Sequence, residues 1–281
     1  MASMREIKRR KESIASTEQI TKAMKLVATV KLQKARNRAE NGKPYMRYMS
    51  EAVRSILARS GSLTHPYLRT PVEGKSAVLL ITSNRGLAGG YNMNAVRLVE
   101  KSGFTKDNTV LYTIGKKGHD ALKAKGFEIA RDESDVINAP MYQDAIEIGE
   151  TLLAAFREGT VSSIYLVYTE FRNTVQHDPK IVRLLPVEEI EEPEEARTPM
   201  NFDPDDESVL DSIIPQYMTS LIYGAMLECV ASENGARMTA MDSATDNCEE
   251  MINALSMQFN RARQGAITQE LTEIIAGSGA Y

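Results

Sequence analysis

The segment Ser83-Asn84-Arg85-Gly86-Leu87-Ala88-Gly89-Gly90-Tyr91-Asn92 has the make-up of a phosphate cradle. It is a glycine-rich loop between a strand-like run and a helix-like one, the place where backbone amides at a helix start bind pyrophosphate in dinucleotide folds. Its glycines fall at 86, 89 and 90, which is not the G-x-G-x-x-G spacing, and no Gly-Lys-Ser/Thr follows. The next strand-like run ends in Gly115-Lys116-Lys117 and offers no carboxylate for a ribose. The spacing therefore favours a tight structural turn over a nucleotide site, and no cofactor is expected.

Other reactive side chains are dispersed. His65, His119 and His177 lie in separate segments without ligand spacing, which argues against a metal centre. No Ser or Cys has a nucleophile elbow or an evident base, so no catalytic residue is assigned. The acid-rich stretch 188–206, with Pro193, Pro199 and Pro204, does not match a calcium loop and is expected to be a solvated loop. Cys229 and Cys248 stand 19 residues apart on one helical segment, too far to pair along it, and read as two reduced thiols.

The elements that carry these residues are plainer than the residues themselves. Leu210, Ile213, Tyr217, Ser220, Gly224, Leu227, Ala231, Asn234, Met238, Met241, Thr245, Cys248, Ile252, Leu255, Phe259, Ala262 and Ala266 alternate spacings of three and four without a break. A repeat of 3.5 residues held this long predicts a coiled-coil helix over about 207–275, which requires a partner and would run roughly 100 Å. Pro215 is either an early-turn residue or a mild bend.

Residues 3–58 also read as helix, with Asn41-Gly42 and Pro44 as the weak point. Its expected seam is Ile7, Ile14, Thr17, Thr21, Met24, Ala28 and Ala35, with Ile20, Val27, Val30 and Leu32 pointing off it toward an outside surface. Charge supports pairing of the two ends. Residues 1–59 carry fifteen Lys and Arg against five acids, residues 206–281 three Arg against eleven acids, and the whole chain has a net charge of −4. The compensating acidic helix, and the lack of aromatic residues before Tyr45 and Tyr48, argue against nucleic acid as a partner of the basic helix.

Between these helices, runs at 77–82, 110–114, 127–130 and 163–169 read as strands, alternating with helices near 92–101, 116–125 and 141–158. Alternation of this kind predicts an open, mostly parallel sheet. Arg172 to Pro186 reads as an antiparallel addition turning at His177-Asp178-Pro179. The expected fold class is α/β, an antiparallel coiled coil of long N- and C-terminal helices with an inserted Rossmann-like open α/β domain. The expected segments are 1–60, 61–205 and 206–281. No stretch approaches the roughly 18 apolar residues that span a bilayer, so any membrane association is expected through partners. The opening Met1-Ala2-Ser3-Met4-Arg5 has no apolar core behind its charges, unlike a secretory signal, while a mature organellar form stays open.

The end of the last helix differs from the rest. Ile267, Leu271, Ile274, Ile275 and Ala276 spread around more than one face, just beyond Arg261, Arg263 and Gln264. An apolar tip of this kind is expected to be enclosed by something outside the pair.

In four places the chain resembles the gamma-subunit family of the rotary ATP synthase, the central stalk. These are Ile20-Thr21-Lys22-Ala23-Met24-Lys25-Leu26-Val27-Ala28, Thr82 to Asn92, Ala236-Arg237-Met238-Thr239-Ala240-Met241 with Ala244-Thr245-Asp246-Asn247, and Ala262-Arg263-Gln264 with Ile267-Thr268-Gln269-Glu270-Leu271-Thr272-Glu273-Ile274. The motifs stand in the family's order along the whole length. One departure is Ser278 after Gly277, where the family signature continues with Gly-Ala.

The resemblance implies a non-catalytic shaft of a proton- or sodium-driven enzyme, coupling ring rotation to conformational change at the catalytic sites. Its implied partners are the catalytic and non-catalytic subunits of the hexamer, the epsilon subunit and the membrane rotor ring. Carried over residue by residue, Lys22, Met24 and Lys25 would face acidic lever loops, Arg263 and Gln264 would meet catch loops, and Ile267 and Glu270 belong to the terminal signature. Phe202 would lie near the rotor ring. There is no chloroplast-type cysteine insertion, so thiol regulation is not expected. The implied location is the cytoplasmic face of the bacterial plasma membrane, peripheral. The competing reading is a small α/β nucleotide-binding enzyme with a coiled-coil oligomerisation arm, which a nucleotide titration would distinguish.

Overall fold

The computed structural model describes residues 4–59, 65–68, 74–174, 176–187 and 205–278. Two compact units emerge, one made of Met1–Thr29 with Arg237–Tyr281, the other of Val30–Ala236. Two long helices, α1 (Met4–Arg59) and α5 (Asp206–Ser278), contribute to both. Pro44 and Pro215 are accommodated within them without ending the helix. The start of α5 is fixed by Asp205, whose Oδ1 accepts the Ser208 N–H at 2.8 Å as an N-cap.

In the smaller unit the ends of α1 and α5 run antiparallel. Lys25 on α1 meets Asp242, and one turn nearer the N-terminus Thr21 meets Thr245 and Lys22 meets Glu249. Near the start of the chain, Ile7 and Arg10 share a cleft with Leu255 and Gln258. On α5 the expected seam holds: every position from Leu210 to Ala262 is withdrawn from solvent, whereas Ala266 is exposed.

The seam of α1 is fuller than expected. Ile7, Lys11, Ile14, Glu18, Thr21, Lys25, Ala28, Leu32, Ala35, Ala39, Gly42, Met46, Met49, Val53 and Ile56 alternate fours and threes, and none is exposed. Leu32, expected off the seam, is on it and buried, while Thr17, expected on it, is exposed. Thr17 instead bonds back to the Ser13 carbonyl at 3.1 Å. Ile20, Val27 and Val30 are exposed at 57% each.

The larger unit is built on a five-stranded sheet in the order β3-β2-β1-β4-β5. The strands are β1 (Ser76–Ile81), β2 (Thr109–Ile114), β3 (Glu128–Asp132), β4 (Ser163–Phe171) and β5 (His177–Leu185). The first four are parallel and β5 is an antiparallel edge. The expected turn at His177-Asp178-Pro179 is therefore corrected: these residues open β5, and Pro179 pairs with Thr169. Pro is tolerated there because an edge strand can spare an N–H. The reversal lies in the preceding segment, where Asn173 Oδ1 accepts the Gln176 N–H at 2.7 Å.

Helices α2 (Tyr91–Lys101) and α3 (Lys116–Ala124) cover one face of the sheet, packing on Val78, Leu80, Leu111 and Val167. On the other face, α4 (Tyr142–Arg157), the first part of α5 and the end of α1 pack on Ala77, Leu79, Ile81 and Leu166. β1 is thus sandwiched on both sides, which explains its unbroken apolar run.

Candidate partner-contact site

Lys22, Met24 and Lys25 occupy one turn of α1 in the smaller unit. Lys22 Nζ lies 2.5 Å from Glu18 Oε1 and 3.0 Å from Glu249 Oε1 on α5. Its hydrogen bonds to Glu18 and then Glu249 push its pKa up to about 12, so it keeps its charge through the physiological range. Lys25 is ion-paired with Asp242. Both ammonium groups therefore already have acidic partners on α5, and a contact with an acidic loop of another chain would exchange or share those partners. Met24 is half-buried. Asp242 and Glu249, the acids that complete this arrangement, are not among the sequence-derived site residues. The opposite charge of the two chain ends was the signal that pointed to them.

Arg263, Gln264, Ile267 and Glu270 form a second zone on α5, all exposed. The pair has ended by this point: Leu255 is buried, Ala262 is half-buried, and every described position beyond it is exposed. Ile267, Leu271, Ile274 and Ile275 show 48%, 55%, 62% and 68% of their surface. Fourteen residues separate Glu249 from Arg263, about 21 Å of helix, so the two zones are distinct stations along the smaller unit. Phe202 lies outside the described residues.

The polar side chains of the glycine loop in the larger unit tie it to α3 and the segment after β3. Asn84 Oδ1 accepts the Lys116 N–H at 2.9 Å and its amide donates to the Ser134 carbonyl at 2.6 Å. Thr82 Oγ1 accepts the Gly118 N–H and donates to the Gly115 carbonyl, both at 2.9 Å. Asn92 Oδ1 takes the Ser83 N–H at 2.9 Å. The start of α2, which follows the loop, has no side-chain cap at Gly90, whereas the first turn of α3 is capped by Thr82 and Asn84. Beside it, Asp132 accepts from Ser134 Oγ at 2.5 Å and Thr113 Oγ1 at 3.1 Å, with His119 Nδ1 at 3.6 Å. Thr113 Oγ1 also lies 3.3 Å from His119 Nδ1, so carboxylate, imidazole and the two hydroxyls form one small polar cluster.

Among the described residues no group of His, Cys, Asp and Glu could hold a metal ion. Both cysteines are free and buried, and burial pushes the Cys229 thiol up to about 12, which keeps it protonated. No helix of the described residues is long and apolar enough to cross a membrane.

A family model described as ATP synthase matches residues 3–281. The chain is 56% identical to the ATP synthase gamma chain of Lachnoclostridium phytofermentans, over 100% of this chain and 99% of that one. It is 39% identical to the ATP synthase gamma chain of Alkaliphilus metalliredigens (99% and 98% covered). It is 38% identical to the sodium ion specific ATP synthase gamma chain of Acetobacterium woodii, again with 99% and 98% covered. Among solved structures, the fold is similar to a chain of the Euglena gracilis mitochondrial ATP synthase, with a TM-score of 0.72 at 20% identity, over 99% of this chain and 94% of that one.

Proposed function

Because this chain belongs to the ATP synthase gamma family, and is thereby a non-catalytic central-stalk subunit, we infer that its two exposed stations are where it meets the surrounding hexamer. The observation that carries this reading is the bare end of α5. A helix that is paired and closed along its seam to Ala262, then apolar on several faces and unpaired to Ser278, is suited to an enclosing sleeve of other subunits. Arg263 and Gln264 at its base, with Ile267 and Glu270 above, supply donors, acceptors and apolar surface to that sleeve. Lys22, Met24 and Lys25 form the second station, facing acidic loops of the catalytic subunits.

A shaft of this kind acts by differential contact. Three equivalent catalytic sites around an asymmetric axle are touched differently, and each site's population shifts toward the state its contact favours. The chain needs no nucleotide of its own for this, in keeping with a glycine loop whose polar side chains are spent on internal bonds. We assign the work to three segments: helices 1–60 and 206–281 transmit torque, and the α/β segment 61–205, which includes Phe202, meets the epsilon subunit and the rotor ring. The location is the cytoplasmic face of a bacterial plasma membrane, peripheral, with the ring driven by protons or sodium ions.

The test is reconstitution with a hexamer of catalytic and non-catalytic subunits. Stoichiometric addition of the full chain is expected to switch on cooperative ATP hydrolysis with unidirectional rotation, while the isolated chain binds no nucleotide in a titration. Hydrolysis indifferent to the chain, or saturable nucleotide binding by the chain alone, would overturn the reading in favour of the enzyme with an oligomerisation arm.

A further inference from the structure

Within the larger unit, the middle of α1 and the first half of α5 stand off from β4 and β5 around a cavity of about 510 Å³. That size suits a small organic molecule. Four tyrosines line it, Tyr45, Tyr142, Tyr168 and Tyr223, and Met46 completes a largely apolar wall. Tyr142 and Tyr223 meet edge to face, with ring centroids 5.5 Å apart. Tyrosine faces carry negative electrostatic potential and attract cations, the more so when water is excluded.

Glu228 stands on the same wall. Its Oε2 is shielded from solvent and has no hydrogen-bond partner among the described residues. A buried acceptor without a donor is rare and costly, and it marks where a missing donor belongs. Other charges nearby do not fill that role. Glu170 is held by Lys180 at 2.7 Å and Arg172 at 3.1 Å. Lys43 also lines the cavity, but it sits on the exposed side of α1, where release to water costs little.

We propose that this cavity binds a lipophilic ammonium, an apolar body carrying one positive nitrogen, with Glu228 as counter-ion and the tyrosines as its walls. Burial, then the charge of Glu170, raises the proton affinity of the Glu228 carboxyl against the opposing pull of the Phe171 amide, Lys43 and Lys180. An entering ammonium favours the ionised carboxylate, so its affinity is expected to rise with pH as Glu228 gives up its proton.

The experiment is calorimetry on the full-length chain at pH 7 with octylammonium, octanol and octanoate as probes. Octylammonium is expected to bind at least tenfold tighter than octanoate. Glu228→Gln is expected to weaken octylammonium at least tenfold and leave octanol unchanged. Tyr223→Leu serves as the second variant, expected to weaken octylammonium more than octanol. Octanoate binding as tightly as octylammonium would give the site to Lys43 and overturn the proposal. So would unchanged octylammonium affinity in folded Glu228→Gln, or no saturable binding of octylammonium at all.

Discussion

Thr21 on α1 and Thr245 on α5 face each other across the helix pair, hydroxyl to hydroxyl at 2.8 Å, both buried. Each hydroxyl also lies 2.9 Å from a carbonyl of its own helix, Glu18 for Thr21 and Met241 for Thr245. Two protons serve three contacts, so the hydroxyl that donates across the pair gives up its backbone bond. The contact fixes register more than it adds stability. Replacing one threonine by valine leaves its neighbour with a poorer set of partners, at about 1 kcal/mol. Replacing both presents two matching methyl groups. Urea unfolding of Thr21→Val, Thr245→Val and the double variant is therefore expected to show each single change destabilising by about 1 kcal/mol. The double variant is expected to lie closer to the parent than the sum of the two.

Stability and acidity are linked through Glu228. Its folded-state pKa is raised, chiefly by burial, so the folded chain binds that proton more tightly than the unfolded chain does. Stability from this group is then greatest below the ordinary carboxyl pKa of about 4.5 and falls as pH rises through the raised value. Above that raised value the group is a net cost, because it is then ionised with one oxygen unsatisfied. Glu228→Gln is expected to be more stable than the parent at alkaline pH, by on the order of 1 kcal/mol, and to bring no gain near pH 4. Melts of parent and variant across that range check both the size and the sign.

Two glycines with positive φ are expected to respond differently to alanine. Gly115, at φ +102, closes the turn from β2 into α3, and a Cβ there would sit 2.1 Å from the Thr82 carbonyl oxygen. Gly103, at φ +82, has nothing within 4 Å of the same position. Gly103→Ala therefore meets only the left-handed backbone penalty, about 1 kcal/mol. Gly115→Ala must also displace β1 from β2, at 3 kcal/mol or more. Loss of soluble folded Gly103→Ala together with full stability of Gly115→Ala would contradict this account of the turn.

The sequence made the α5 helix legible because its seam is filled by apolar and small residues, with only Asn234 and Thr245 polar. The α1 seam was half hidden for the opposite reason. Lys11, Glu18 and Lys25 occupy it, and a search for apolar spacing passes over charged residues. Their aliphatic stems cover the interface while their charged ends reach the rim, as the Lys25–Asp242 pair does. The four parallel strands were legible because burial on both faces demands continuous apolar runs. The start of β5 was not, since His177-Asp178-Pro179 has the composition of a turn and only the edge position makes it a strand. The contact residues were named through resemblance rather than through spacing. An exposed side chain awaiting another protein leaves no periodic trace in its own chain.

The two stations on the smaller unit set an expectation about how load is carried. Roughly three charges crossing ~150 mV deliver about 10 kcal/mol per catalytic step. An exposed ion pair is worth about 1 kcal/mol or less. Arg263 is exposed on a bare helix, and Lys22 and Lys25 already share acids within the chain, so none of them can transmit that work alone. Met24→Ala or Arg263→Ala in an assembled complex is accordingly expected to leave most hydrolysis-driven rotation intact. Met24→Lys is expected to be worse than either, because a third cation in that turn adds attraction to acidic loops and holds the shaft at particular angles. Raising ionic strength should then restore part of its turnover, since screening weakens exposed charges first. Single-molecule rotation at two salt concentrations checks the set. Complete arrest by Arg263→Ala, or salt-independent slowing in Met24→Lys, would show that the torque passes through single contacts rather than through the distributed surface.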